Sequence, residues 1–281
     1  RGSVSADVLQ MLTDAAGLIS WAGYDWHAGR IGRDSGYQFK LQNADLGLVI
    51  LIKNHNVKAE IEGPHLKFEV SPHLIDELSP VELQNLMDEL AAKLLTDCKP
   101  NQAAVHIALD VQGWLPDDVV SRMHCRARAQ REFVGVERIE FDERVAVYGR
   151  GKSYLFGSAG GLQLAIYNKT DQARATDKLD YWESVWSDAY TKDQDVWRIE
   201  LRFHHSIVDQ FAQGSACIKT GAFIDTRTYA EICPHLDGLW RYGLTAYKLL
   251  ATDGVYDAFW TFARSSVAVS THADSLASTV E

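Results

Sequence analysis

Through the first seventy residues, apolar and polar side chains alternate with the two-residue period of a β-strand. Residues 37–41, 46–52 and 58–70 carry this pattern, with Gly63-Pro64 as a turn inside the last segment, and they predict consecutive antiparallel strands. The period then changes to that of a helix. Ser79 stands as N-cap, Pro80 occupies the first helical position, and Glu82 follows three residues after the cap. Leu83, Leu86, Met87, Leu90, Leu94 and Leu95 form the apolar stripe, which predicts a helix lying on the sheet. Strands are predicted again over residues 103–111, 136–141, 154–157, 162–168 and 196–203, with Gly160-Gly161 as the turn before 162. The acidic stretch 171–195 reads as a helix or an excursion from the sheet. From Phe223 the pattern is helical, with Leu236, Leu239, Trp240, Tyr247 and Leu250 on one face, and residues 265–281 form a small, polar tail.

Strands in runs, with helices between and after them, predict an α+β fold: a largely antiparallel sheet covered by helices, with a helical C-terminal part. The expected division is a main domain over residues 1–222 and a helical extension over 223–281. No apolar run approaches the roughly 20 residues that cross a bilayer, so no membrane partner is expected. Cys98, Cys125, Cys217 and Cys233 lie too far apart for a CxxC signature, and a cytoplasmic setting fits this usage. Arg1-Gly2-Ser3 reads as an expression-tag remnant or as a fragment edge, either of which implies a longer natural chain.

The formal charge of −10 argues against a general nucleic-acid binder, because phosphate neutralisation needs a basic surface. Charge is uneven, however. Arg122, Arg126, Arg128 and Arg131 fall within ten residues that hold no acid. They form either a solvated helix face or a phosphate-binding patch.

Alternation sorts the chemistry onto one sheet face. His106, Ala108 and Asp110 point one way and Ile107 and Leu109 the other. In the same manner Arg198, Glu200, Arg202 and His204 oppose Trp197, Ile199, Leu201 and Phe203. If the two strands are neighbours, Asp110 and Glu200 converge on a hard oxygen site suited to Mg²⁺ or Mn²⁺, with His106 as a nitrogen ligand. From spacing alone the simpler reading is that Glu200 pairs with Arg198 or Arg202. Tyr167 closes a strand opposite Leu162, Leu164 and Ile166, and Lys169 follows two residues later.

Three segments, in order, resemble the replication initiation factor (Rep-trans) family of rolling-circle plasmid and phage initiators and related relaxases. They are the aspartate-containing strand from His106 to Asp110, the "YLFGS" strand set against the family's "YxGS" (Tyr154, Gly157 and Ser158) with the following "IYNK" strand (Ile166, Tyr167, Asn168 and Lys169), and the "RIEL" strand from Arg198 to Leu201. The resemblance covers about residues 103–209. It implies Tyr167 as the nicking nucleophile, and Asp110 and Glu200 as positions associated with a divalent metal. His106 stands where the family often has a second aspartate, and the acidic residue after "YNK" is matched loosely by Asp171. The implied activity is nicking and closing of origin DNA, single-stranded or hairpin-extruded, through a covalent 5′-phosphotyrosine. Phosphate contacts are expected from Lys169, Arg126, Arg128, Arg198 and Arg202, and a host helicase and a second copy of the chain are the expected protein partners. A relaxase of a conjugative or integrative element shares this chemistry, and a non-catalytic DNA-binding regulator is the alternative of another class.

Overall fold

The computed structural model describes residues 1–101, 104–125, 130–138, 147–157, 160–187, 190–213 and 225–269. The fold is α+β, with antiparallel sheets and a largely helical C-terminal part. The described residues group into two compact units, one built from those within 1–101 and 225–234, the other from those within 104–213 and 235–269. This differs from the expected division after residue 222. The first sheet has its own helices and core, and the C-terminal helices from residue 236 onward pack within the second unit rather than forming an extension.

The first unit begins with α1 (Ala6–Asp14) and then winds β1 (Gly17–Trp21), β2 (Tyr24–Arg30), β3 (Tyr37–Asn43), β4 (Leu48–Asn54) and β5 (Leu66–Val70) into a meander in sequence order. Ala22 and Gly23, both at positive φ, make the two-residue turn between β1 and β2, as the twist of a tight hairpin demands. Helices α2 (Pro72–Glu77) and α3 (Pro80–Leu94) follow. The predicted capping box is present: the Ser79 hydroxyl accepts from the Glu82 amide, and the Glu82 carboxylate accepts from the Ser79 amide. Leu83, Leu90 and Leu94 of α3 join Trp26, Leu41, Ile50 and Ile52 in one core.

Only the second half of the predicted 58–70 strand forms. Buried His65 is the reason: one ring nitrogen is bonded to the amide of Asn54, and the other lies 3.1 and 3.0 Å from the carbonyls of Lys58 and Ile61. Lys53 donates to the carbonyls of Asn54 and Val57. These side chains satisfy backbone groups that a hairpin would have paired, and the segment curls into turns.

The second unit contains β6 (Val105–Val111), α4 (Val119–Arg122), β7 (Met123–Cys125), β8 (Gln130–Arg138), β9 (Val147–Phe156), β10 (Leu162–Asn168), α5 (Lys169–Ala175), α6 (Leu179–Trp186), β11 (Trp197–Phe203) and α7 (His205–Ala212). A short helix of the first unit, α8 (Tyr229–Ile232), precedes α9 (Leu236–Ala246), β12 (Tyr247–Thr252), β13 (Val255–Tyr256) and α10 (Ala258–Ser265). The main sheet is antiparallel throughout, in the order β6-β11-β10-β9-β8. Its apolar face carries Ile107, Phe156, Leu164, Ile166, Ile199, Leu201 and Phe203, all buried. Helix α9 sits so close to it that a Cβ on Gly243 would lie 2.4 Å from Leu201 Cδ1. Phe211 of α7 contacts both Phe203 and Tyr242.

Two expectations are corrected in this unit. Tyr247 and Leu250 do not continue the helical face of Leu236, Leu239 and Trp240, because β12 begins at Tyr247 and pairs with β7 and β13. Three bonds hold the chain in this course. Trp260 donates to the Tyr247 carbonyl (2.7 Å), Arg122 donates to the Leu250 carbonyl (2.9 Å), and the Tyr247 hydroxyl donates to the Leu162 carbonyl (2.5 Å). Likewise the strand expected at 136–141 is β8, which starts earlier, at Gln130; residues 139–141 lie outside the described residues.

Gly157 ends β9 at φ 97°, where a Cβ would stand 2.4 Å from the Leu162 oxygen and 2.5 Å from the Tyr247 hydroxyl. Neither position can yield, since one is backbone and the other is hydrogen-bonded to it. Gly157→Ala is therefore expected to lower unfolding stability by more than about 2 kcal/mol, whereas Tyr247→Phe should cost only about 1 kcal/mol. Urea denaturation of the two variants checks the ordering, and equal losses would contradict it.

Candidate active site

The register of the second sheet lays its polar face out in rows. Asp110, Arg198, Tyr167 and Ser153 are successive cross-strand partners on β6, β11, β10 and β9. In the next row Glu200 lies between Ala108 and Ala165, followed by Leu155, and in the third Arg202 lies between His106 and Gln163. Side chains directly opposite on one face have Cβ atoms about 5 Å apart, so rows of this kind place functional groups in contact.

The alanines flanking Glu200 leave room for larger neighbours to reach its carboxylate. Tyr167 donates its hydroxyl proton to Oε2 at 2.9 Å, Arg202 donates to Oε1 at 2.9 Å, and His106 Nδ1 lies 3.4 Å from Oε1. Glu200 and Tyr167 are each only 4% exposed. Burial alone would push the Glu200 carboxyl up. The Arg202 guanidinium and the His106 ring outweigh it and hold the group well below the ordinary carboxylate range.

Asp110 anchors a second cluster. Arg198 bonds it bidentately at 2.6 and 2.7 Å, and the Trp186 indole donates to it at 2.8 Å. The Arg198 guanidinium lies 4.4 Å from the ring centre of Trp182, and the Lys169 ammonium lies 4.0 Å from the same ring. Lys169 also donates to Gln172 at 2.6 Å. Burial, reinforced by the Arg198 charge, pulls the Lys169 amine down to about 7.

Tyr167, Lys169, Arg198, Arg202, Glu200, Asp110 and His106 thus all belong to these two connected clusters. The simpler expectation for Glu200, pairing with Arg202, is realised, although on a buried face rather than a solvated one. Arg126 and Arg128 lie outside the described residues, and Arg122 is ion-paired with Asp257. His204, on the same face as Arg202, is joined to Gln163 at 2.9 Å.

The expected metal ligands do not fit an ion in this arrangement. Both Asp110 oxygens are taken by Arg198 and Trp186, and both Glu200 oxygens by Tyr167, Arg202 and His106. Two guanidinium groups already neutralise the two carboxylates. Among the described residues no three His, Cys, Asp or Glu side chains could hold one cation.

Sequence reasoning missed Ser153, Gln163, Gln172, Trp182 and Trp186. The two tryptophans had a legible signal, since their i,i+4 spacing places them on one helix face and they follow the strand bearing Tyr167. Ser153 had none, because a serine beside a strand aromatic is ordinary.

The Lys169 amine generates a pH test. Its pKa of about 7 in the folded chain lies below the roughly 10.4 of an unfolded lysine, so between those values the unfolded chain holds the extra proton. Stability from this group therefore rises with pH through that window, and the penalty for burying the charge is complete below pH 7. The stability of the native protein relative to Lys169→Met should climb between pH 7 and 10, at up to about 1.4 kcal/mol per unit. Denaturant melts at four pH values measure this difference, and a flat difference would contradict a buried, readily neutralised amine.

No family model matches the chain. It is 54% identical to the "Uncharacterized protein ORF430" of Pseudomonas phage Pf1 over an alignment of 288 positions that spans 98% of this chain and 67% of the relative. At that identity and coverage the chain belongs to the family of the Pf1 ORF430 protein.

Proposed function

We propose that the chain is a DNA nicking and closing enzyme that initiates rolling-circle replication, with Tyr167 as nucleophile. The observation that carries this reading is the Tyr167 hydroxyl, held 2.9 Å from the Glu200 carboxylate on a sheet face that also bears Arg198 and Arg202. Tyrosine, acid and Arg198 come from the three segments that resemble the Rep-trans family, and Arg202 directly follows the last of them. Descent alongside a phage protein adds support, because a phage must start copies of its own genome.

In the proposed reaction the Tyr167 oxygen attacks a scissile phosphodiester. The O–P bond forms, the P–O3′ bond breaks, the phenolic proton leaves, and the 3′ oxygen takes up a proton from water. Free phenols ionise near 10 and glutamates near 4.3, so full proton transfer to a carboxylate ahead of attack would cost about 8 kcal/mol. Glu200, held lower still, is a poorer base than that. Its role is to orient the phenol, with proton loss accompanying O–P bond formation as charge moves onto the phosphate. Arg198 and Arg202, fixed by their carboxylates, supply the positive field for that charge. The phenolic proton passes to solvent, and the Lys169 amine, packed on the Trp182 ring that Arg198 also faces, adds to that field. The substrate is origin DNA in single-stranded or hairpin-extruded form, and a host helicase would unwind the duplex while the free 3′ hydroxyl primes synthesis.

Burial of Tyr167 favours a second reading, a DNA-binding regulator that kept the sheet without using the phenol. One variant separates the two. Tyr167→Phe keeps the ring and its packing and removes only the oxygen. It should bind single-stranded DNA within about twofold of the native protein, since little else changes, and should form no covalent adduct with a single-stranded oligonucleotide selected for binding. Adduct formation by the variant would move the nucleophile elsewhere. Absence of an adduct with the native protein, in Mg²⁺, Mn²⁺ or chelator, would favour the regulator.

A further inference from the structure

Beside Tyr167, on the side away from Arg198, lies a group that neither cluster uses. Ser153 of β9 is the direct cross-strand partner of Tyr167, so both side chains leave the sheet on the same face. Ser153 is only 3% exposed, and its hydroxyl has no hydrogen-bond partner among the described residues. The other polar groups in this part of the face are tied into networks. Tyr167 is bonded to Glu200, Arg198 to Asp110, and Gln163 to His204. A buried hydroxyl left unpaired loses its water without compensation, and unpaired groups of this kind are uncommon in folded proteins. Packing does not require it either, because alanine would fill the position at almost the same volume.

We propose that Ser153 is a phosphate-contacting residue, whose hydroxyl donates to a non-bridging oxygen of the phosphodiester that Tyr167 attacks. The inference rests on the nicking role of Tyr167. It extends that role by giving the nucleophile two flanks: a guanidinium on the β11 side and a neutral donor on the β9 side. A donor directed at an oxygen that gains charge only as the O–P bond forms strengthens in the transition state more than in the ground state. Ser153 transfers no proton and forms no bond to phosphorus. The chemical class of ligand is a phosphodiester, and one hydroxyl selects one of its two non-bridging oxygens.

That selectivity supplies the test. Ser153→Ala is compared with the native protein on a single-stranded oligonucleotide selected from a random-sequence pool, with either an ordinary phosphate or each phosphorothioate diastereomer at the cleaved linkage. Binding is measured in parallel in a Tyr167→Phe background. Ser153→Ala should melt at the native temperature or above, because it removes an unpaired buried hydroxyl. On the ordinary substrate it should slow adduct formation roughly 10- to 100-fold. On the one diastereomer that places sulfur, a poor acceptor, at the contacted position, the loss should shrink to about threefold or less. In the Tyr167→Phe background Ser153→Ala should weaken binding by about fivefold. If the native protein forms no adduct but that binding loss remains, the nicking role fails and the phosphate contact stands. Unchanged rate and affinity would overturn the proposal, as would an equal slowing on both diastereomers or a drop in melting temperature that accounts for the loss.

Discussion

The structure of the second unit turns on one buried charge. A carboxylate moved from water into a sheet face costs several kcal/mol unless it is paired and its lone pairs are filled. Glu200 meets both conditions through Tyr167, Arg202 and His106, and it can do so only because Ala108 and Ala165 stand on either side of it. A larger residue at either alanine would block the approach of a partner and leave the acid uncompensated. The two sheet faces therefore carry different rules. The apolar face accepts any branched residue that fits beneath α9, whereas the polar face specifies each residue by what its neighbour needs.

From Glu200 the constraint spreads along the rows. Tyr167, held by Glu200, is the cross-strand partner of Arg198. Arg198 is fixed by Asp110, Asp110 by Trp186, and the guanidinium shares the Trp182 ring with Lys169. Helix α6 thus touches the sheet through two indoles that fix the orientation of the charged groups. Rigid support of this kind is what the proposed nucleophile requires, since displacement of a reacting atom by an ångström forfeits much of its advantage. The same density explains why the two carboxylates are unsuited to a divalent ion as they stand.

Much of this was legible in the sequence. The alternation in residues 105–111 and 197–203 sorted apolar from chemical faces correctly, because a two-residue period depends only on backbone geometry. The 162–168 strand and the Ser79 capping box were equally plain, as both are local signals. What local pattern could not carry was partnership. The sequence offers Glu200 both Arg198 and Arg202 on its own strand, but that Asp110 takes Arg198 and leaves Arg202 to Glu200 depends on the register between strands nearly ninety residues apart. The turn around His65 was lost for a related reason: a buried side chain replaced the backbone pairing that the 58–70 alternation promised. At Tyr247 a hydroxyl reaching a distant strand ended a helix that periodicity alone would have continued.

The polar face of this sheet sets one phenol against an acid and next to fixed positive charge. In the proposed role this phenol becomes covalently attached to DNA. The most direct measurement is mass spectrometry of peptides from the native protein after incubation with a cleavable single-stranded oligonucleotide and nuclease trimming. A nucleotide mass is expected on the peptide that contains Ile166, Tyr167 and Asn168, and on no other. A nucleotide on a different tyrosine, or an adduct-free digest from protein that demonstrably cleaved its substrate, would contradict it.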